Sequence, residues 1–295
     1  MTMYKKGITG QIILHIFFIL LSLAYILPFL LLISISLSSD QAIKEFGYTI
    51  LPKAIDFSAY KMIFKSPDTI LNAYKVTIAF SLVTMVLSVL VMMMAAYPLS
   101  RSNCVFKKPL SYYIFFTMIF SGGMIPSYII NSKYLHLNDT MLIYILPSLV
   151  NAWNVIIIRT FFQGLPNGLV EAAKIDGAGE IYIFARIIIP LSKPVIATMC
   201  FLTLLAKWND WNTSLIYIRN EKLYSLQYLL QRILREVEFV KNSVSQGNDL
   251  ISIENLPAES VRYAMALVAA GPMLVMFPFF QKYFARGLTV GAIKG

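Results

Sequence analysis

Hydrophobic and polar positions in this chain alternate on a long scale, not on the two-residue scale of a half-buried strand. Apolar runs of roughly 20 residues, the length a helix needs to cross a bilayer, recur between short polar segments. Run length predicts six spans, near residues 10–38, 73–98, 109–130, 141–160, 191–209 and 262–281. The first follows "MTMYKKG", and its apolar stretch is much longer than a signal-peptide core, so it reads as a retained anchor. Pro28, Pro98, Pro126, Pro147, Pro272 and Pro278 fall in or at the ends of spans. Kinked helices around a polar cavity tolerate such prolines, because neighbouring groups satisfy the freed carbonyls. The expected fold class is an all-α integral membrane domain covering 1–295, with about six transmembrane helices.

Composition agrees with the pattern. Of the 295 residues 58% are hydrophobic and 14% charged, with a mean hydropathy of +0.68, whereas a soluble domain is nearer a quarter charged. The net charge of +10 fits orientation in a membrane and contact with anionic headgroups better than nucleic acid. Cys104 and Cys200 define neither a disulfide framework nor a metal site, and His15 and His136 are isolated. No Gly-rich Lys-Ser/Thr phosphate loop occurs, so P-loop binding of ATP by this chain is excluded.

Basic residues in the short connections set the expected orientation. Lys5 and Lys6, then Arg101, Lys107 and Lys108, stand against Lys133 alone in the short opposite loop. The positive-inside rule then places both termini in the cytoplasm, together with the segment between the fourth and fifth spans. Two outer segments are substantial, 39–72 and 210–261. The second contains Leu223, Leu226, Leu230, Ile233, Leu234 and Val237 at helical spacing, with Arg232, Arg235, Glu236 and Glu238 between them. This is an amphipathic helix, lying either over the mouth of the protein or on the outer leaflet.

The cytoplasmic segment, 163–194, is polar between two apolar runs. In "LPNGLVEAAKIDGAGEIYIFARIIIPLSKP", Pro166 can open a helix, and "DGAG" interrupts it, because Gly177 and Gly179 can take positive φ. A second helix carries Ile181, Phe184, Ile187 and Ile188 along one side, until Pro190 and Pro194 end or bend it. The result is a helix–turn–helix elbow, whose small residues suit close approach by another protein.

Glu171, Ala172, Ala173, Asp176, Gly177, Ala178, Phe184, Ile187, Pro190 and Pro194 occupy every fixed position of a known pattern. The pattern is EAA, two residues, DGA, five residues, F, two residues, I, two residues, P, three residues, P. The segment thus resembles the coupling loop of ABC importer permeases. The "ILPKAIDFSAYKMIF" loop, "WNDW" at the end of the fifth span and the tail "QKYFARGLTVGAIKG" extend the resemblance to the carbohydrate branch, and to the second permease subunit of a maltose-type system. That resemblance implies a heterodimer with a second permease subunit, two copies of a cytoplasmic ATPase and an extracellular solute-binding protein, in a bacterial cell membrane. It implies no enzymatic activity and no cofactor in this chain, ATP and Mg being bound by the ATPase. It makes Glu171, Ala172, Ala173, Asp176, Gly177, Ala178, Phe184 and Pro190 the ATPase-coupling residues. The tail, 282–295, would reach the ATPase pair through Gly287, Gly291 and Lys294.

A carbohydrate substrate directs attention to Asn151, Trp153 and Asn154 in the fourth span, and to Trp208, Asn209, Asp210 and Trp211 closing the fifth. Aromatic faces beside amides and a carboxylate suit sugar rings and hydroxyls, but aromatic residues at span ends serve equally as interfacial anchors. In the maltose system the sugar is held mainly by the other permease, so the resemblance alone implies no pocket here. Alternatives are an ABC permease for a peptide or amino acid, or an ion-coupled secondary transporter. The latter usually keeps ionisable groups near the bilayer midplane, and these spans hold almost none there. A membrane-embedded enzyme would need a cluster of acids, histidines or a nucleophile with its base, which the sequence lacks.

Overall fold

The computed structural model describes residues 8–245 and 258–292, with side chains over 10–240 and 259–281. Among the described residues the regular structure is helical, and an antiparallel bridge between Ser38 and Ile55 is the extended pairing. In chain order the helices are α1 (Ile8–Ser36), α2 (Asp40–Phe46), α3 (Ser58–Ile63), α4 (Pro67–Ser100) and α5 (Lys107–Ile119). Then follow α6 (Met124–Ile129), α7 (Leu142–Ile145), α8 (Ala152–Gln163), α9 (Asn167–Ile175) and α10 (Glu180–Ile183). The last five are α11 (Ile189–Leu191), α12 (Lys193–Trp208), α13 (Asn212–Tyr217), α14 (Leu226–Ser245) and α15 (Ala258–Ala292).

Among the described residues, three stretches are single helices long and apolar enough to cross a membrane: Gly10–Ser36, Pro67–Ser100 and Glu259–Gln281. Three bent pairs of helices pass the same test together, giving up to six spans if each pair is one span. Lys107–Ile119 and Met124–Tyr134 meet at 110°, Leu142–Ser148 and Ala152–Gln163 at 50°, and Glu180–Leu191 and Lys193–Trp208 at 80°. The breaks fall where the sequence supplies them. Gly123, at φ +86°, turns the chain ahead of α6. Pro147 and Asn151 separate α7 from α8, and Ser192 with Pro194 separates α11 from α12. The spans expected near 109–130 and 141–160 are each divided in two.

The chain forms two compact units, Met1–Pro67 with Leu230–Gly271, and Asp68–Leu229 with Pro272–Gly295. In the first, Leu37 and Ser39 exchange backbone hydrogen bonds with Asp56 and Ala54, folding residues 37–56 into a closed loop around α2. Asp56 accepts from the Ser58 amide (2.9 Å) and hydroxyl (2.7 Å) at the start of α3. Asp40 accepts from the amides of Glu259 (3.1 Å) and Ser260 (3.0 Å) and from the Ser260 hydroxyl (2.8 Å). A carboxylate distant in sequence thus satisfies the orphan donors and the positive end of α15.

In the second unit α4 is the central element. Ile70, Ala73, Thr77, Phe80, Ser81, Thr84, Ser88 and Met92 fall at three- and four-residue spacing and are all buried, the small residues allowing close helix approach. The earlier part of α4 packs in one cluster with Ile143, Tyr144, Ile218 and Tyr224, where Phe80 and Tyr144 stack at 4.2 Å. The later part packs in another with α8, α9, α10 and α12. Burial makes hydrogen-bond satisfaction obligatory, and Tyr144 Oη meets Ser214 Oγ at 2.6 Å and donates to the Leu223 carbonyl at 2.8 Å. Thr77 Oγ1 accepts the Leu226 amide at 2.8 Å, at the start of α14.

The amphipathic pattern near 223–242 forms α14, which buries Leu226, Leu229, Leu230 and Val237. Leu223 lies outside it, ending a short 3-10 turn that is followed by extended Tyr224.

Candidate functional sites: a surface elbow and a polar cavity

The elbow is built by a specific helix ending. α9 closes at Ile175, and the Gly177 amide donates to the Lys174 carbonyl (3.0 Å) while the Ala178 amide donates to the Ala173 carbonyl (2.9 Å). This pair of bonds is a Schellman motif, which needs a left-handed residue between them. Gly177 supplies it at φ +80°, and a Cβ built there meets nothing within 4 Å. The demand for glycine is therefore conformational and not steric. Ala173 and Ala178 are half-buried and pack together on the core cluster, while Glu171 and Ala172 face outward.

The second arm departs from a regular helix. Residues Phe184–Ile188 form a π-turn between α10 and α11, and its wider turn aligns positions five apart. Ile183 and Ile188 are consequently buried, with Phe184 and Ile187 partly covered, whereas Ile181, expected on that apolar side, is 85% exposed. Ile175 on the first arm is 86% exposed. Pro190 lies in α11 on the exposed side, before the bend into α12.

Electrostatic contacts close the elbow. Lys174 Nζ pairs with Glu180 Oε1 at 2.6 Å, and the Tyr97 hydroxyl donates to Glu180 Oε2 at 2.6 Å. The Lys174 ammonium first, and then the Tyr97 hydroxyl, hold the Glu180 carboxyl below the usual carboxylate range. Tyr97 and Lys174 were not singled out in the sequence. The signal available there was an acid and a base six residues apart across "DGAG", which becomes an ion pair only once the turn reverses the chain.

A polar cavity of about 410 Å³ lies at the break between α7 and α8. Asn151 and Asn154 line it, with Ser88 of α4, Ser148 of the break, and Thr203 and Lys207 of α12. Asn151 caps α8 by accepting the Asn154 backbone amide at 3.1 Å. Thr203 has a buried hydroxyl with no hydrogen-bond partner among the described residues. Lys207 pairs with Asp210 at 2.8 Å, the two side chains being 14% and 12% exposed. Asp210 also accepts from the Thr213 amide (3.0 Å) and hydroxyl (2.8 Å), so it caps α13.

The other substrate-path candidates are placed elsewhere. Trp208 is buried beside the Tyr74 ring, centroids 6.3 Å apart, and Asn209 donates to the Leu205 carbonyl and accepts from Gln227. Trp153 and Trp211 are exposed. Ser88, Ser148, Thr203 and Lys207 join this cavity without any sequence motif of their own, their one signal being hydroxyl residues at helical spacing within an apolar span. Gly287 and Gly291 fall in α15 and Lys294 lies outside the described residues.

Residues 73–290 match the family described as binding-protein-dependent transport system inner membrane component. The chain belongs to that family. It is a multi-pass membrane permease of the ABC importer class. Among relatives, protein LplC of Bacillus subtilis is 38% identical over 270 residues, covering 92% of this chain and 90% of LplC. The polygalacturonan/rhamnogalacturonan transport system permease protein YtcP of Bacillus subtilis is 33% identical over 287 residues, covering 97% and 98%. The arabinooligosaccharides transport system permease protein AraQ of the same organism is 30% identical over 293 residues, covering 97% and 96%. Among solved structures, a bacterial ABC transporter involved in import of the acidic polysaccharide alginate has a chain that matches with a TM-score of 0.73. Its identity is 28%, over 96% of this chain and 100% of that one.

Proposed function

We propose that this permease carries a sugar or oligosaccharide inward across a bacterial cytoplasmic membrane, driven by ATP hydrolysis in a separate ATPase subunit. The observation that carries the reading is the elbow. A Schellman-terminated helix holds Glu171 and Ala172 outward, and the next arm presents Ile181 beside it, an apolar and acidic surface suited to a partner's cleft. With both termini in the cytoplasm, this surface meets one copy of an ATPase, and a second copy docks on a second permease subunit. An extracellular solute-binding protein delivers the sugar from the other side.

Motion enters through α9 and α10 and passes to α12, because Ile183 and Ile188 pack in the same cluster as Val195 and Met199. Rigid-body displacement of packed helices opens a cavity to one side of the membrane or the other. The cavity at Asn151, Asn154 and Thr203 offers amide and hydroxyl partners for sugar hydroxyls. The relatives named for polygalacturonan/rhamnogalacturonan transport and for import of alginate support a carbohydrate cargo.

The test is purification of the tagged full chain from its native membrane, followed by reconstitution with what co-purifies. An ATPase should accompany it, and oligosaccharide uptake should require ATP and the solute-binding protein. Uptake driven by an ion gradient without ATP would overturn the reading.

A further inference from the structure

Beside α9 lies a cavity of about 380 Å³ that transport of sugar does not explain. Its wall is made where α4 ends, α5 begins and α8 ends. Arg101, Lys107 and Lys174 line it together with Glu171, three cations against one carboxylate, and Lys174 also pairs with Glu180. Ser102 and Asn103 add neutral polar groups. The Nε and Nη2 atoms of Arg101 are buried with no hydrogen-bond acceptor among the described residues, while its guanidinium carbon stands 4.8 Å from the Tyr97 ring centroid. Buried guanidinium donors without an acceptor are costly, so an anion with several acceptor oxygens fits this place.

A second cavity, of about 630 Å³, shares Arg101 and Asn103 with the first. Its wall is otherwise mainly apolar: Met94, Tyr97, Pro98, Ile181 and Phe184, with Glu180 at one side. Basic pockets between transmembrane helices bind lipid headgroups. Here a basic pocket runs into an apolar groove across a single arginine, at the ends of membrane-spanning helices. Free phosphate would use only the first part, and an acidic peptide has no need of the second.

We propose that an anionic phospholipid binds this chain, its phosphate in the basic cavity at Arg101 and Lys107 and an acyl chain in the adjoining groove over Pro98 and Phe184. The groove is floored by Ile181 and Phe184, so the bound lipid also braces the elbow. The site does not depend on which solute is carried, and it borders the docking surface at Glu171 and Ile181.

Native mass spectrometry of the full chain in detergent, titrated with phosphatidylglycerol or phosphatidylcholine, tests this. One phosphatidylglycerol should stay bound under activation that strips phosphatidylcholine. Ser102→Asp, at an exposed turn position, should reduce that retention about fivefold, since one charge near such a site changes binding by that order. Arg101→Gln should do the same if it folds, and Lys133→Gln, in the π-helical turn Ile130–Tyr134, should leave retention unchanged. Equal retention by wild type and Ser102→Asp overturns the proposal, and is what a cavity reserved for an acidic protein segment would give. Competition by inorganic phosphate or glycerophosphoglycerol as effective as by the intact lipid overturns it too, because the groove would then contribute nothing.

Discussion

The Tyr97 hydroxyl donates a 2.6 Å hydrogen bond to Glu180 Oε2, joining the last turn of α4 to the first residue of α10. The same ring lies 5.1 Å from the Phe184 ring and carries Arg101 on its face. One side chain thus connects a membrane-spanning helix to the second arm of the elbow through polar, aromatic and cationic contacts. Tyr97→Phe removes only the hydroxyl. A hydrogen bond to a charged group contributes about 1.5–3 kcal/mol, and the half-exposed position of Glu180 favours the lower figure. The variant should insert normally, and hydrogen exchange should speed by about tenfold over the elbow amides of residues 178–190. Unchanged exchange would show that the contact carries no load.

Glu180 also gives the elbow a pH dependence. Its carboxyl is held below the usual range, so its contribution is fully present above the ordinary carboxylate pKa and is lost as pH falls through the lower folded value. Exchange protection of the Gly179–Ile183 region should therefore fall in acid in the wild type. Glu180→Gln should remove that acid-dependent component, leaving a flat profile over the same window.

Gly177 separates conformation from space. A Cβ meets no neighbour there, yet φ is +80°, where a non-glycine residue costs roughly 1–2 kcal/mol and asparagine less. ATP-dependent uptake should fall in the order glycine, asparagine, alanine, valine, with membrane insertion intact throughout. If alanine and valine behaved as wild type, the turn would not be needed for coupling.

Asp40 tests the long-range cap. Asp40→Ala should destabilise the fold by about 1 kcal/mol, the usual value of a lost cap, and Asp40→Asn by less because an amide oxygen still accepts. Thermal unfolding in detergent reads the difference. Equal loss in both variants would point to charge and not to hydrogen bonding.

The polar cavity makes a separate prediction. Asn154→Leu removes an amide from the cavity wall without disturbing the cap, since Asn151 accepts the Asn154 backbone amide. Sugar uptake should fall several-fold, while ATPase activity without substrate stays at its wild-type value. Loss of both together would indicate a folding defect.

Much of the site was legible because its chemistry is local. The elbow needs "AAKIDGA" and little else: helix formers, then glycine at the left-handed position, then alanine to pack back on alanine. The register of the second arm was not legible. An i, i+3, i+7 pattern puts Ile181 on one side with Ile188; Ile188 is buried there, but the π-turn exposes Ile181 and buries Ile183 instead, and a π-turn leaves no composition signal of its own. Asp210 looked like a group on a substrate path because it is an acid beside tryptophans. Only the fold shows it already satisfied by Lys207 and Thr213.

The sequence by itself determined the lipid-soluble character, the number of apolar segments, the orientation signal and the turn at Gly177. Those follow from run length, charge placement and single-residue backbone preference, which require no knowledge of distant contacts. The tertiary structure decided where the spans break, which of Asn151, Asn154 and Trp208 share a cavity, and that Asp40 caps a helix beginning more than two hundred residues later. Those depend on which faces meet, and in an apolar chain nearly every face is hydrophobic enough to be a candidate.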